Sequence, residues 1–188
     1  MWYVIQVLKD SEDAMAELIC RVVPAAVLGE CFSPKYATEM KIRGRWVPCE
    51  RDLFPGYLIA ITDTPRELEV ALAQIPEFCR VLMQGERFVP LDRDEVEMIG
   101  VFTDRGNRTV PMSHAVKDGD RVVVTEGPLV GREGLIKAVD RRKSIAVVEL
   151  DVCGRKISTR MGLSVVSAPE SAEAKRAGLY IAEALKSA

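Results

Sequence analysis

Eight cations in the last third of this 188-residue chain have the types and spacing to hold phosphate. Arg141, Arg142 and Lys143 are consecutive, Arg155, Lys156 and Arg160 follow, and Arg132 and Lys137 precede them. Guanidinium forks and ammonium points are the side chains that neutralise nucleic-acid backbones. If they converge on one side, they form a surface that contacts phosphates and reads an RNA stem by its shape. If they do not, they are an ordinary solvated face. No aromatic interleaves with them, so contact with a duplex backbone is favoured over base stacking on a single strand.

The charge is segregated. The whole chain is net -2, but residues 1–102 carry 11 Lys/Arg against 17 Asp/Glu, and residues 117–167 carry 10 against 7. The basic part is therefore a distinct segment. Other chemistry is poorly represented. His114 is the single histidine and has no nucleophile beside it in sequence, and no Walker loop, dinucleotide fingerprint or metal-ligand spacing occurs. Gly131-Arg132-Glu133-Gly134 is too short for a phosphate loop. No enzyme, cofactor or metal site is expected. The five cysteines, Cys20, Cys31, Cys49, Cys79 and Cys153, are odd in number and lack a Cys-x-x-Cys pair, which points to reduced thiols in a cytosol. No apolar run reaches the roughly 20 residues of a membrane span. Met1-Trp2-Tyr3 enters a strand with no basic flank, so no signal peptide and a cytoplasmic location are expected.

Short strands must position the cations. Val122 and Val124 alternate with their neighbours, and Gly127-Pro128 punctuates a turn. Gly134 is expected to open the next strand at a close backbone approach. Ala146, Val148, Leu150 and Val152 share one face of a third strand. Gly154 turns the chain into a fourth strand, from Lys156 to Met161, and Leu163 to Val166 makes a fifth. This set predicts a small barrel over 117–167, which by pattern alone could equally be a protein-binding SH3-like module.

The first half reads as an α+β domain over 1–102. Trp2 to Leu8 is an aromatic and β-branched strand, and Ser11 to Val23 has helical spacing on one broad face. Cys31 to Arg43 and Trp46 to Cys49 predict a hairpin with Gly44-Arg45 at its tip. Phe54-Pro55-Gly56-Tyr57 leads into a buried strand, Leu58 to Thr62. Thr64-Pro65-Arg66-Glu67 has the form of a capping box, and Asp92 to Glu95 caps a last helix through Ile99 and Phe102. The order predicts an antiparallel sheet with packed helices. Residues 103–116 read as a polar, flexible linker. Residues 168–188 read as a tail helix, with Ala177, Ile181, Ala184 and Leu185 at helical spacing.

The opening Trp2-Tyr3-Val4-Ile5-Gln6-Val7, the central Leu53-Phe54-Pro55-Gly56-Tyr57-Leu58 and the barrel motif after a linker together resemble the NusG family of transcription elongation factors. The resemblance covers about residues 1–167, and residues 122–140 are similar to a KOW motif. It implies a NusG N-terminal-like domain that binds the clamp helices of the largest RNA polymerase subunit through an apolar patch. By motif match that patch is Phe54, Tyr57 and Tyr3. Trp2 is expected in the core. Phe54 is expected to face outward, since it precedes the Pro55-Gly56 turn. The implied nucleic-acid partner is an RNA hairpin, with non-template DNA as the other candidate.

Two departures bear on specialisation. Where the general factor has a Phe-Gly pair that docks Rho or a ribosomal protein, this chain has Cys153-Gly154, and Leu129 stands where an aromatic is common. Both imply weak or absent Rho and ribosome contact, and similarity to the operon-specific antiterminators of the RfaH and LoaP groups. A general elongation and pausing factor, or a stand-alone RNA-binding or ribosome-associated KOW protein, remains open. Val- and Ile-rich strands interrupted by Gly134, Gly154 and Gly162 disfavour a helical alternative form of the barrel.

Overall fold

A computed structural model describes residues 1–100, 103, 107–118 and 121–167. The proposed tail helix and part of the linker lie outside the described residues.

The N-terminal domain is built on a four-stranded antiparallel sheet. Its strands are β1 (Trp2–Val7), β2 (Glu30–Phe32), β5 (Tyr57–Ile61) and β6 (Cys79–Val81), in the order β2-β5-β1-β6. Successive side chains of β1 alternate between two cores. Tyr3, Ile5 and Val7 pack with Met15 and Ile19 of α1 (Glu12–Val22) and Leu68 and Leu72 of α2 (Pro65–Leu72). Val4 faces the other way, with Phe32, Leu53, Phe54, Ile59 and Ile99 of α3 (Arg93–Gly100).

The expected hairpin is β3 (Lys35–Ile42) with β4 (Arg45–Asp52), turning at Arg43-Gly44. Both turn residues have positive φ, 50° and 83°, as a two-residue hairpin turn requires. The first arm is shorter than expected, because β2 pairs instead with β5. The sequence suggests one short strand over Val81 to Met83; the structure instead ends β6 at Val81 and adds a small hairpin, β7 (Met83–Gln84) and β8 (Arg87–Phe88). The capping box is realised at the start of α3, where Asp92 Oδ1 accepts from the Glu95 N–H at 2.8 Å and Glu95 Oε2 from the Asp92 N–H at 2.5 Å. At Thr64 no side-chain cap forms.

Part of the segment read as linker is strand. Thr109–Val110 forms β9, parallel to β3, and Ser113–Asp118 forms β10, the first strand of the barrel sheet. With β11 (Arg121–Glu126), β12 (Ile136–Asp140), β13 (Ile145–Val152) and β14 (Arg155–Ser167), the order is β11-β10-β14-β13-β12. The two last expected strands are one long β14, which pairs antiparallel with β13 and then parallel with β10. Space around Gly134 is open. The close approaches fall at Gly127, against Ser113, and at Gly162, whose added Cβ would run into the Ala37 carbonyl oxygen.

Gly162 therefore lies where β14 crosses β3 of the other domain. The two domains are in contact, and one apolar cluster runs through both, from Phe54 and Ile99 to Val152, Met161 and Leu163.

Candidate functional site

The Phe-Pro-Gly-Tyr turn is positioned by a buried carboxylate. Gly56 adopts φ 84°, and its N–H donates to Glu12 Oε1 of α1 at 2.6 Å, while Val7 N–H donates to Gly56 O at 2.9 Å. Only glycine takes this backbone conformation without strain. The turn projects Phe54 and Tyr57 from the sheet face opposite α1 and α2. There they line an apolar cavity of about 30 Å³ with Val4, Leu82 and Ile99, closed from above by Val152, Arg155 and Ile157 of the barrel.

The outward expectation for Phe54 thus needs correction. Phe54 is 6% exposed, because the barrel covers it, and Tyr57 is half-buried beside it. Tyr3 does not join them. It is buried beneath the helices on the opposite sheet face, with its hydroxyl 3.6 Å from Met1 Sδ. Trp2 is partly buried, edge-on to Phe32 and beneath the Arg108 guanidinium, as its core role predicts.

Polar contacts hold the barrel in place. The Cys153 N–H at the β13–β14 turn donates to Glu95 Oε1 at 2.6 Å. Thr159 Oγ1 donates to Leu53 O, next to Phe54. Thr38 Oγ1 donates to Ser144 O at 3.0 Å, and Ser144 Oγ to Glu39 Oε1 at 2.7 Å. Cys153 is buried, with Sγ 3.7 Å from Val89 O. Burial, and secondarily the Glu95 charge, push its thiol up to about 11. Glu12 and Thr159 escaped sequence reasoning, as did the interdomain contacts of Glu95 and Gly162. Glu95 was legible as a helix cap, but its second partner is 58 residues away in the chain.

The eight cations do not form one patch. Arg141, Arg142 and Lys143 are exposed on the β12–β13 turn, and Lys143 Nζ lies 3.5 Å from Asp140. Lys137 and Lys156 flank Glu149 at 3.7 and 3.3 Å. Arg160 lines an interdomain cleft with Lys9 and Arg51. Arg155 borders a different cleft with Tyr57 and Arg80. Arg132 faces Asp92, Asp94 and Glu95 of the other domain, with Nη1 buried and lacking a hydrogen-bond partner. Alternating pleats place Lys156 and Arg160 on one face of β14, so these two, Lys137 and the basic turn are the part that can act together.

Among the described residues no cluster of metal-ligating side chains occurs, and no helix is long and apolar enough to cross a membrane. All five cysteines are free thiols. Cys20 is exposed and its pKa is lowered to about 6, chiefly by a hydrogen bond with the Cys31 thiol.

An antiparallel sheet with α1 and α2 on one face, and α3 and a small barrel on the other, defines a two-domain α+β protein. Residues 1–100 match the family described as "Transcription termination factor nusG", and residues 119–149 match the KOW motif. The chain belongs to the NusG family, whose members are transcription factors and not enzymes. The "Transcription termination/antitermination protein NusG" of Borreliella burgdorferi is 24% identical over 166 residues, covering 82% of this chain and 90% of the relative. That of Campylobacter jejuni is 24% identical over 159 residues, covering 82% and 89%. A solved structure titled "Domain interaction in Thermotoga maritima NusG" has the same fold, with TM-score 0.53, 20% identity, and coverage of 87% of this chain and 92% of that one.

Proposed function

We propose that this protein is an operon-specific transcription elongation and antitermination factor that docks on RNA polymerase through Phe54 and Tyr57. The apolar lining of their cavity supports this, because burying one such aromatic in a partner contributes a few kcal/mol. In the closed arrangement the barrel occupies the same face. Polymerase and barrel therefore compete for it, and docking shifts the population towards the open form. The freed barrel then binds an RNA hairpin through Arg141, Arg142, Lys143, Lys137, Lys156 and Arg160.

The specialised reading rests on Cys153. The turn that carries an aromatic anchor in the general factor here carries a small buried thiol beside the Val89 carbonyl. A general elongation factor is the second reading, favoured by the names of the relatives. Co-precipitation with RNA polymerase tests the docking face. Full-length Phe54→Ala and Tyr57→Ala chains should be folded and retained poorly. Retention equal to the unmodified chain would refute it.

A further inference from the structure

The β3–β4 hairpin carries a second feature. From Met40 to Cys49 it holds Lys41, Arg43 and Arg45 and no carboxylate, in a domain where acidic residues outnumber basic ones. Every residue from Met40 to Pro48 is exposed. Trp46 is 43% exposed, although an indole is normally packed. Lys41 lies directly opposite Trp46 in the register, with Nζ 6.0 Å from the ring centroid. Arg43 turns the hairpin and Arg45 follows on β4. None of the three cations has a carboxylate partner among the described residues.

The base of the same hairpin touches the barrel. Thr38 and Glu39 bond Ser144, the residue after Arg141-Arg142-Lys143. Arg43 lies four residue steps beyond Glu39, a distance of about 13 Å at ~3.3 Å per residue. The tip thus extends the basic turn of the barrel by about that length, and adds the aromatic that the barrel cations lack.

We propose that this hairpin tip binds single-stranded RNA, one unpaired base stacking on Trp46 and the neighbouring phosphates pairing with Lys41, Arg43 and Arg45. An exposed ring beside exposed cations is complementary to a base face flanked by phosphates, and a duplex offers no free base face. The choice of RNA rests on the barrel holding an RNA stem, since the tip then meets the unpaired segment beside it.

The test uses the full chain, an RNA stem, and the same stem with about eight unpaired uridines at each end, within the usual ~4–16-nucleotide site. The extension should tighten binding about tenfold, as expected for one stacked base, and should quench tryptophan fluorescence. Trp46→Ala should remove both effects and leave binding of the bare stem unchanged, and Trp46→Phe should restore part of the gain. Arg141→Gln with Arg142→Gln should weaken the bare stem. If the bare stem does not bind while free oligouridine still quenches Trp46, the barrel reading fails and the hairpin contact stands. An extension without added affinity or quenching overturns the proposal. So does a gain that survives Trp46→Ala, with polymerase binding lost instead, which would assign the tip to a protein. Tighter binding of free oligothymidylate than of the extended stem would overturn the assignment to RNA.

Discussion

The Glu95 carboxylate holds two turns at once. Oε2 accepts the Asp92 N–H that begins α3, and Oε1 accepts the Cys153 N–H at the barrel turn, 2.6 Å away. The helix cap of one domain is thereby the clasp of the other. The carboxylate is 7% exposed, so removing its charge leaves a buried donor unpaired.

Glu95→Ala should therefore open the domains. A charge-assisted bond of this kind contributes about 1.5–3 kcal/mol, shared between closure and the helix cap. Small-angle scattering should show a larger radius of gyration, and RNA polymerase should bind more tightly. An unchanged radius with unchanged polymerase affinity would remove the clasp role.

Gly162→Ala should open them by another route. The added Cβ meets the Ala37 carbonyl oxygen, which is backbone and has little freedom to move. The barrel should stay folded, because the clash is with the other domain. Nuclear magnetic resonance shifts concentrated along β3 and β14, with the barrel's internal pattern retained, are expected. Loss of the barrel pattern would show that the glycine serves the barrel itself.

Thiol reactivity reports closure. Cys20, with a pKa near 6, is mostly thiolate at neutral pH and should be alkylated early, with its rate falling as pH drops through 6. Cys153, raised to about 11 and buried, should react slowly at neutral pH and speed up only as pH rises towards that value. Glu95→Ala should expose Cys153 and raise its labelling rate at pH 7. Mass spectrometry of alkylated peptides reads all three, and equal rates for the two thiols at pH 7 in the unmodified chain would contradict this arrangement.

Rho and the small ribosomal subunit should be poor partners. The opened barrel, as in Glu95→Ala, presents Cys153 where an aromatic would be needed to fill a pocket. Termination assays with Rho should show little stimulation, and Cys153→Phe on the opened chain should restore part of it. Strong stimulation by the unmodified chain would favour the general-factor reading.

Much of the architecture was legible in local sequence. The period-two strands, the Phe54-Pro55-Gly56-Tyr57 turn and the Asp92-x-x-Glu95 cap are set by neighbours a few residues apart, where alternation and turn chemistry act. The Arg43-Gly44 turn was placed within a residue for the same reason. Long-range pairing was less visible. β10 was read mostly as linker, although its antiparallel pairing with β11 is local; only its parallel pairing with β14, about 50 residues on, leaves no trace in neighbouring sequence. The interface was invisible to periodicity. Phe54 lies on the sheet face that the barrel covers, Gly162 is required by a carbonyl 125 positions earlier, and Arg132 lines a cleft with residues of a helix that no spacing connects to it. Composition and local pattern determined which residues could be apolar, basic or turning. Only the packing of one domain on the other decided which stay available to a partner, because burial depends on what covers a side chain and not on its neighbours in sequence.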